Sequence, residues 1–294
     1  MIADHEPRRP AMRTRSRRLF ALGMALAGLI QCIPSQAQDD RSADETASRN
    51  RKIKESMESS VNWYELLPNA EATTPLTPQV AMRWINASRG RDAQDFLLLW
   101  VHDGRPVAAA TVFPFDRDLC HELCSLSRTA ELVARTSGRT LWAPESAGVK
   151  FQDVPDSPAP AETVTLRLAQ MKNLAARFTT TLTGWKDDES EREVLRLLPR
   201  PLYRYDIKTA KETHPDLRDG ALFAFVQGTD PEVLLLIEEI ALGDRPRWQY
   251  AFARATSGAL EARLEDQLVW KVPRFTNTTS RSNPHITFRR ALED

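Results

Sequence analysis

The chain has 294 residues, 40 basic and 40 acidic, and is formally neutral. Six arginines and two acidic residues fall before residue 38, which leaves 34 basic against 38 acidic residues from there on, an excess of four negative charges. With no basic excess or patch, that balance argues against nucleic acid as a partner.

Met1 to Arg18 holds Arg8, Arg9, Arg13, Arg15, Arg17 and Arg18 against Asp4 and Glu6, and an apolar stretch from Phe20 to Ile33 follows it. Broken by Gly23, Gly28 and Gln31, that stretch is too short and too polar for a membrane span, which needs about 20 apolar residues. It fits the hydrophobic region of a removable export signal. Ser35-Gln36-Ala37 supplies the small residues a signal peptidase needs. The sequence therefore predicts a signal peptide over residues 1–37, a mature start near Gln38 and no membrane span once the signal is removed. Ser16-Arg17-Arg18-Leu19-Phe20 resembles the twin-arginine export motif, although Ala21 and Leu22 stand where Leu and Lys often follow. An ordinary Sec signal that contains an Arg pair is the other reading. Gln31 directly before Cys32 argues against lipidation. Either route delivers the protein to the periplasm or beyond.

Residues 38–61 are polar and charged without an apolar period and read as a disordered or weakly helical lead-in. Trp63, Tyr64, Leu66 and Leu67 open the globular part, and Pro68, Pro75 and Pro78 mark a turn-rich connection. Phe96 to Val101 and Val107 to Phe113 flank Asp103-Gly104, a strong hairpin signal. Leu132 to Arg135 and Thr140 to Ala143 flank Thr136-Ser137-Gly138 in the same way. After Pro155, Pro158 and Pro160, the spacing of Leu168, Met171, Leu174 and Ala175 predicts a helix from Glu162 to Arg177. Phe178 to Trp185 alternates like a strand, while Asp187 to Arg196 reads as turn-like or briefly helical. Ala221 to Val226, Val233 to Ala241, Trp248 to Ala255 and Gln267 to Val272, divided by turn signals, predict an antiparallel meander. Val233 to Ile237 is apolar on both faces: a central strand, or a helical turn and a half after Pro231.

These elements amount to an α+β fold, mainly antiparallel β sheet in hairpins and a C-terminal meander, with one principal helix packed on it. Residues 62–294 read as a single globular domain whose sheet-rich halves would be 62–160 and 161–294.

The string Leu197-Leu198-Pro199-Arg200-Pro201-Leu202-Tyr203-Arg204-Tyr205 and the run from Asp219 to Glu232 resemble a family of uncharacterised exported proteins of planctomycete bacteria. Leu119-Cys120-His121-Glu122 and Thr183-Gly184-Trp185 add to the likeness, which covers most of the chain after Trp63. The resemblance implies an extracytoplasmic protein and carries no activity or ligand with it.

Cys120-His121-Glu122-Leu123-Cys124 is the densest group of ligand-type side chains. Cys120 and Cys124 are an even pair in an exported chain and suggest one disulfide. Two buried unpaired thiols are a second reading. A third is a zinc or copper site on Cys120, His121, Glu122 and Cys124. Glu145-Ser146-Ala147-Gly148 lacks the first glycine and the following helix of a nucleophile elbow and reads as a surface turn. His102, His214 and His285 have no positioned partner in sequence and read as solvated or locally bonded. Glu238-Glu239 and Asp187-Asp188 read as surface charge, because adjacent carboxylates on a strand point to opposite faces. The seven tryptophans read as core.

The sequence contains no phosphate-cradling loop, paired-His zinc motif or haem-attachment string, and the cofactor is left open. The leading expectation is a non-enzymatic binding or structural protein of the periplasm or cell envelope, its partner a small molecule or an envelope protein. A metal-dependent or hydrolytic enzyme built around Cys120 to Cys124 is the runner-up. Self-assembly through an open edge of the C-terminal sheet is the third, with Arg254, Arg263 and Lys271 placed to blunt such an edge. Oligomeric state is left open.

Overall fold

A computed structural model of the chain describes residues 36–86, 94–184, 192–206, 214–242 and 245–292. In chain order these form helix α1 (Gln36–Ser60) and strands β1 (Glu65–Leu67), β2 (Pro78–Ile85), β3 (Gln94–His102), β4 (Arg105–Phe115) and β5 (Asp118–Ser125). Strands β6 (Val133–Thr136), β7 (Arg139–Trp142) and β8 (Gln152–Asp153) and helix α2 (Val164–Ala175) come next. Then follow β9 (Phe178–Thr183), β10 (Arg192–Leu197), β11 (Tyr203–Arg204), β12 (Leu217–Gln227) and β13 (Asp230–Leu242). The last strands are β14 (Arg245–Arg254), β15 (Ala259–Leu264), β16 (Gln267–Val272) and β17 (His285–Ala291). Residues 1–35 of the expected signal, Trp185 and Asp187-Asp188 lie outside the described residues. No described helix is long and apolar enough to cross a membrane.

Every sheet is antiparallel. One holds nine strands on the path β16-β15-β9-β10-β12-β13-β14-β8, with β11 also on β12; a second runs β17-β5-β4-β3-β2; a third is β1-β6-β7. Turn chemistry fixes the hairpins. Asp103 and Gly104 both take positive φ, as do Ser137 and Gly138, which is what a two-residue type I′ turn requires.

Alternation along the strands sorts the apolar residues into layers. Even positions of β3 (Phe96, Leu98, Trp100) pack with Leu66, Ala134 and Trp142 of the small sheet and with Ile53 and Met57 of α1. Odd positions Leu97 and Leu99 face Leu222, Ala224, Leu234, Leu236, Ala251 and Ala253 across a sheet-on-sheet core. The outer face of the nine-stranded sheet, with Phe223, Phe225, Leu235 and Ile237, takes Met171, Leu174 and Ala175 of α2. Val233 to Ile237 is thus a strand covered on both sides.

Several expectations are corrected. Of the two readings of the lead-in, disorder is set aside: it lies in a 25-residue helix, in which Ile53, Met57 and Ser60 fall on one stripe at i, i+4 and i+7 and are all buried. A stripe that narrow is lost among the charges around it. Pro78 starts an edge strand rather than a turn, in keeping with the place of proline at strand starts. Within Asp187 to Arg196, residues 192 onward are strand β10. The C-terminal meander breaks after β14: β15 crosses to pair with β9, from Ala259↔Thr183 to Leu264↔Phe178. The crossing lets Leu260, Ala262 and Leu264 close the core over α2.

Candidate functional site

Strand alternation takes the Cys120 to Cys124 group apart. On β5, Leu119, His121 and Leu123 point toward α1, whereas Cys124 packs against the nine-stranded sheet. His121 is buried, its Nε2 2.9 Å from Ser60 Oγ and its Nδ1 3.2 Å from Tyr64 Oη. Ser60 spends its hydroxyl proton on the Met57 carbonyl at 2.6 Å, so Nε2–H donates to Ser60 and Nδ1 accepts from Tyr64. Trp63 and Phe288 stack on the two sides of the ring. Burial, helped by Arg290, pushes the imidazole down to about 3. His121 is a neutral core residue that ties α1 and Tyr64 to the sheet.

Both cysteines are buried and neither forms a disulfide, which corrects the disulfide expectation. Four residues along an extended strand separate the Cα atoms by about 13 Å, beyond the roughly 7 Å a disulfide can span. The four-ligand metal set is undone by the same geometry, and no cluster of three His, Cys, Asp or Glu side chains suited to a metal occurs among the described residues.

The remaining candidates separate in the same way. Ser146 sits on an exposed bend with no helix after it. His102 is partly exposed, 3.8 Å from the Asp103 carboxylate. Burial first, then Arg105, hold the His214 pKa below its ordinary value.

Glu238 and Glu239 do point to opposite faces, but both faces are interior, which corrects the surface-charge expectation. Glu238 Oε1 accepts from Arg105 Nε at 2.8 Å and from Tyr205 Oη at 2.9 Å, while Oε2 accepts from Arg128. Burial works to raise the Glu238 pKa; Arg105 and Arg128 outweigh it and hold the carboxyl below the ordinary range. Gly220, opposite Glu238 in the ladder, makes the arrangement possible. A Cβ there would stand 2.4 Å from the Tyr205 ring. On the other face, Arg167 of α2 bridges Asp219 at 2.7 Å and Glu239 at 3.1 Å. These groups act as staples between layers, although Arg105 Nη2 and Glu239 Oε2 are buried without a hydrogen-bond partner among the described residues.

His285 is different. It opens β17 directly opposite Cys124, with Thr287 opposite Glu122, so these four share the face turned toward β14. Its side chain is 3% exposed, and neither ring nitrogen has a hydrogen-bond partner among the described residues. Burial, then Arg254, push it down to about 3, so it is neutral with one N–H donor and one acceptor. It lines a cavity of about 290 Å³ together with Cys124, Arg254, Phe252, Trp270 and Phe275. β8 pairs only with Gln249 and Tyr250 of β14, so the edge of β14 beyond Tyr250 borders the cavity without a partner strand among the described residues. Arg254 Nη2 donates to the Pro273 carbonyl at 2.5 Å, which fixes the guanidinium, while its buried Nη1 has no partner. Burial lowers the Arg254 pKa to about 10, so the group stays charged at neutral pH.

A pocket of this size lies at the small end of ligand sites, about 300–1,000 Å³. Its walls are mainly apolar, and His285 and Arg254, whose unpartnered nitrogens are themselves buried, are among the residues that line it. Buried polar groups normally find partners, and the cost of leaving one unpaired is about 1–3 kcal/mol. His285 was legible as an alternating position in His285-Ile286-Thr287-Phe288; Arg254, read only as an edge charge, gave no linear sign that it would meet a residue 31 positions later.

Comparison with protein-family models, curated proteins and solved structures found no match to this chain.

Proposed function

We propose that the protein is an exported, non-enzymatic binding protein of the periplasm or cell envelope that holds a small organic molecule in the His285 pocket. The observation that carries this reading is the buried His285 ring, both nitrogens unpartnered, on the wall of an apolar cavity. Binding accounts for the pocket better than catalysis does. Burial pushes the Cys124 thiol up to about 12 and the imidazole opposite it down to about 3, so the pair holds neither a thiolate nor a useful general base near neutral pH. The export signal, the likeness to planctomycete exported proteins and the absence of a basic surplus support an extracytoplasmic role without nucleic acid.

The test is native mass spectrometry of the protein purified gently from its exporting host, beside the pocket-filling variant Val272→Trp. A small molecule retained by the wild type, released on unfolding and lost from the variant is the expected result. A bare wild-type chain, or a ligand kept unchanged by Val272→Trp, would remove the reading.

A further inference from the structure

We infer that β17 is an acid-sensitive latch: a strand that releases from β5 while the rest of the protein stays folded, and that uncovers the His285 cavity as it leaves. The latch stands whether or not that cavity holds a ligand. β17 lies at the edge of its sheet and pairs with β5 alone. An edge strand can leave without breaking any ladder but its own. Just before it, the Arg281 and Ser282 carbonyls accept from Ala143 and Glu145 N–H and the Pro284 carbonyl from Ser125 N–H, so the chain is held up to Pro284 and hinges there. Outside the ladder, Thr287 N–H donates to the Thr278 carbonyl and Leu292 N–H to the Arg117 carbonyl, two bonds that release must also break. The inner face of the strand is poorly satisfied. His285 Nδ1 and Nε2 and Thr287 Oγ1 are buried without a hydrogen-bond partner among the described residues, whereas Leu97, Leu99 and Ala109 on the same face of β3 and β4 are apolar. Water reaches the orphaned groups once the strand leaves, which offsets part of the packing lost with Ile286 and Phe288.

Both buried imidazoles owe their burial in part to this strand. His285 belongs to it, and the Phe288 ring, stacked at 5.2 Å and 25°, covers one side of His121. Around His285 stand Cys124 of β5 and Arg254 of β14, with Arg274 on the shared cavity wall and Glu122 two residues along β5. Around His121 stand Ser60, Tyr64 and, from β17, Arg290. With the strand closed, both rings stay neutral down to about 3, and for His285 burial and then Arg254 set that direction. A freed imidazole takes a proton below about 6.5. The open form therefore binds more protons between these values, and opening grows as pH falls through that range.

Hydrogen exchange of the full chain at about pH 7 and about pH 5, both above the ordinary carboxylate range, reads the opening once intrinsic exchange rates are divided out. Protection of His285–Ala291 and of the β5 amides bonded to them should fall at least about tenfold between the two, while β12 and β13 keep theirs. His285→Phe should cut that response at least about fivefold, since one proton no longer drives the opening. Melting curves check that the variant folds, and His285→Asn takes its place where the larger ring does not fit. Unchanged protection of β17, a fall shared by β12 and β13, or a response that survives the loss of the His285 imidazole would each overturn the latch.

Discussion

Two imidazoles lie on opposite faces of the five-stranded sheet, and burial keeps both uncharged at neutral pH. His121 has a donor and an acceptor matched to its tautomer; His285 has neither. In the unfolded chain each binds a proton below about 6.5. In the folded chain neither does until about 3, so between these values the unfolded state holds more protons and stability falls as pH falls. Urea unfolding followed from pH 7 to 4 should show a loss approaching about 1.4 kcal/mol per pH unit for each buried histidine. His121→Ala should cost about 2–4 kcal/mol at pH 7 through the lost packing and the orphaned Ser60 and Tyr64 hydroxyls, and should flatten that slope by one proton. A variant with unchanged stability or an unchanged slope would contradict the core role of His121.

At the level of elements, the Arg105–Glu238 pair joins the start of β4 to the middle of β13, one from each large sheet, with both side chains almost fully buried. Removing one partner of such a pair strands the other charge and costs about 3–5 kcal/mol, while replacing both by apolar groups is far milder. Arg105→Met and Glu238→Leu should each lower the urea midpoint strongly, and the double variant should recover part of the loss; Arg128 and Tyr205 keep the recovery incomplete. Additive effects would refute a direct coupling. The pairing also marks where sequence stopped being informative. Asp103-Gly104 and Ser137-Gly138 announced their hairpins because turn conformation is decided by the turn residues themselves. The Leu168, Met171, Leu174 stripe announced α2 for the same local reason. Glu238 meets a partner 133 residues away, β15 pairs with β9 rather than β14, and β5 was masked by ligand-type side chains; nothing local decides any of these. The pocket belongs to this second group, drawing its walls from β5, β14, β16 and β17.

For the molecule as a whole, layers of helix, sheet, sheet and helix explain why so many strand positions are apolar on both faces and why the mainly antiparallel β character could be read from pattern, although two helices stand where one was expected. The proposal of export rests on the sequence of residues 1–37. If the twin-arginine reading is right, Arg17→Lys with Arg18→Lys should trap the protein in the cytoplasm at least about tenfold more than wild type. Fractionation of cells expressing both forms decides it, and unimpaired export of the double variant would assign the Sec route.

The closing strand of the five-stranded sheet is β17, paired with β5 from His285↔Cys124 to Ala291↔Asp118. During synthesis, β5 therefore waits with one edge bare while the intervening chain is made, and that edge is a template for wrong pairing. Loop closure over such a separation is slow, so this sheet is completed only after β17 has been made. The pocket is acquired in the same step that adds this strand to the sheet, because the strand that caps β5 also delivers His285.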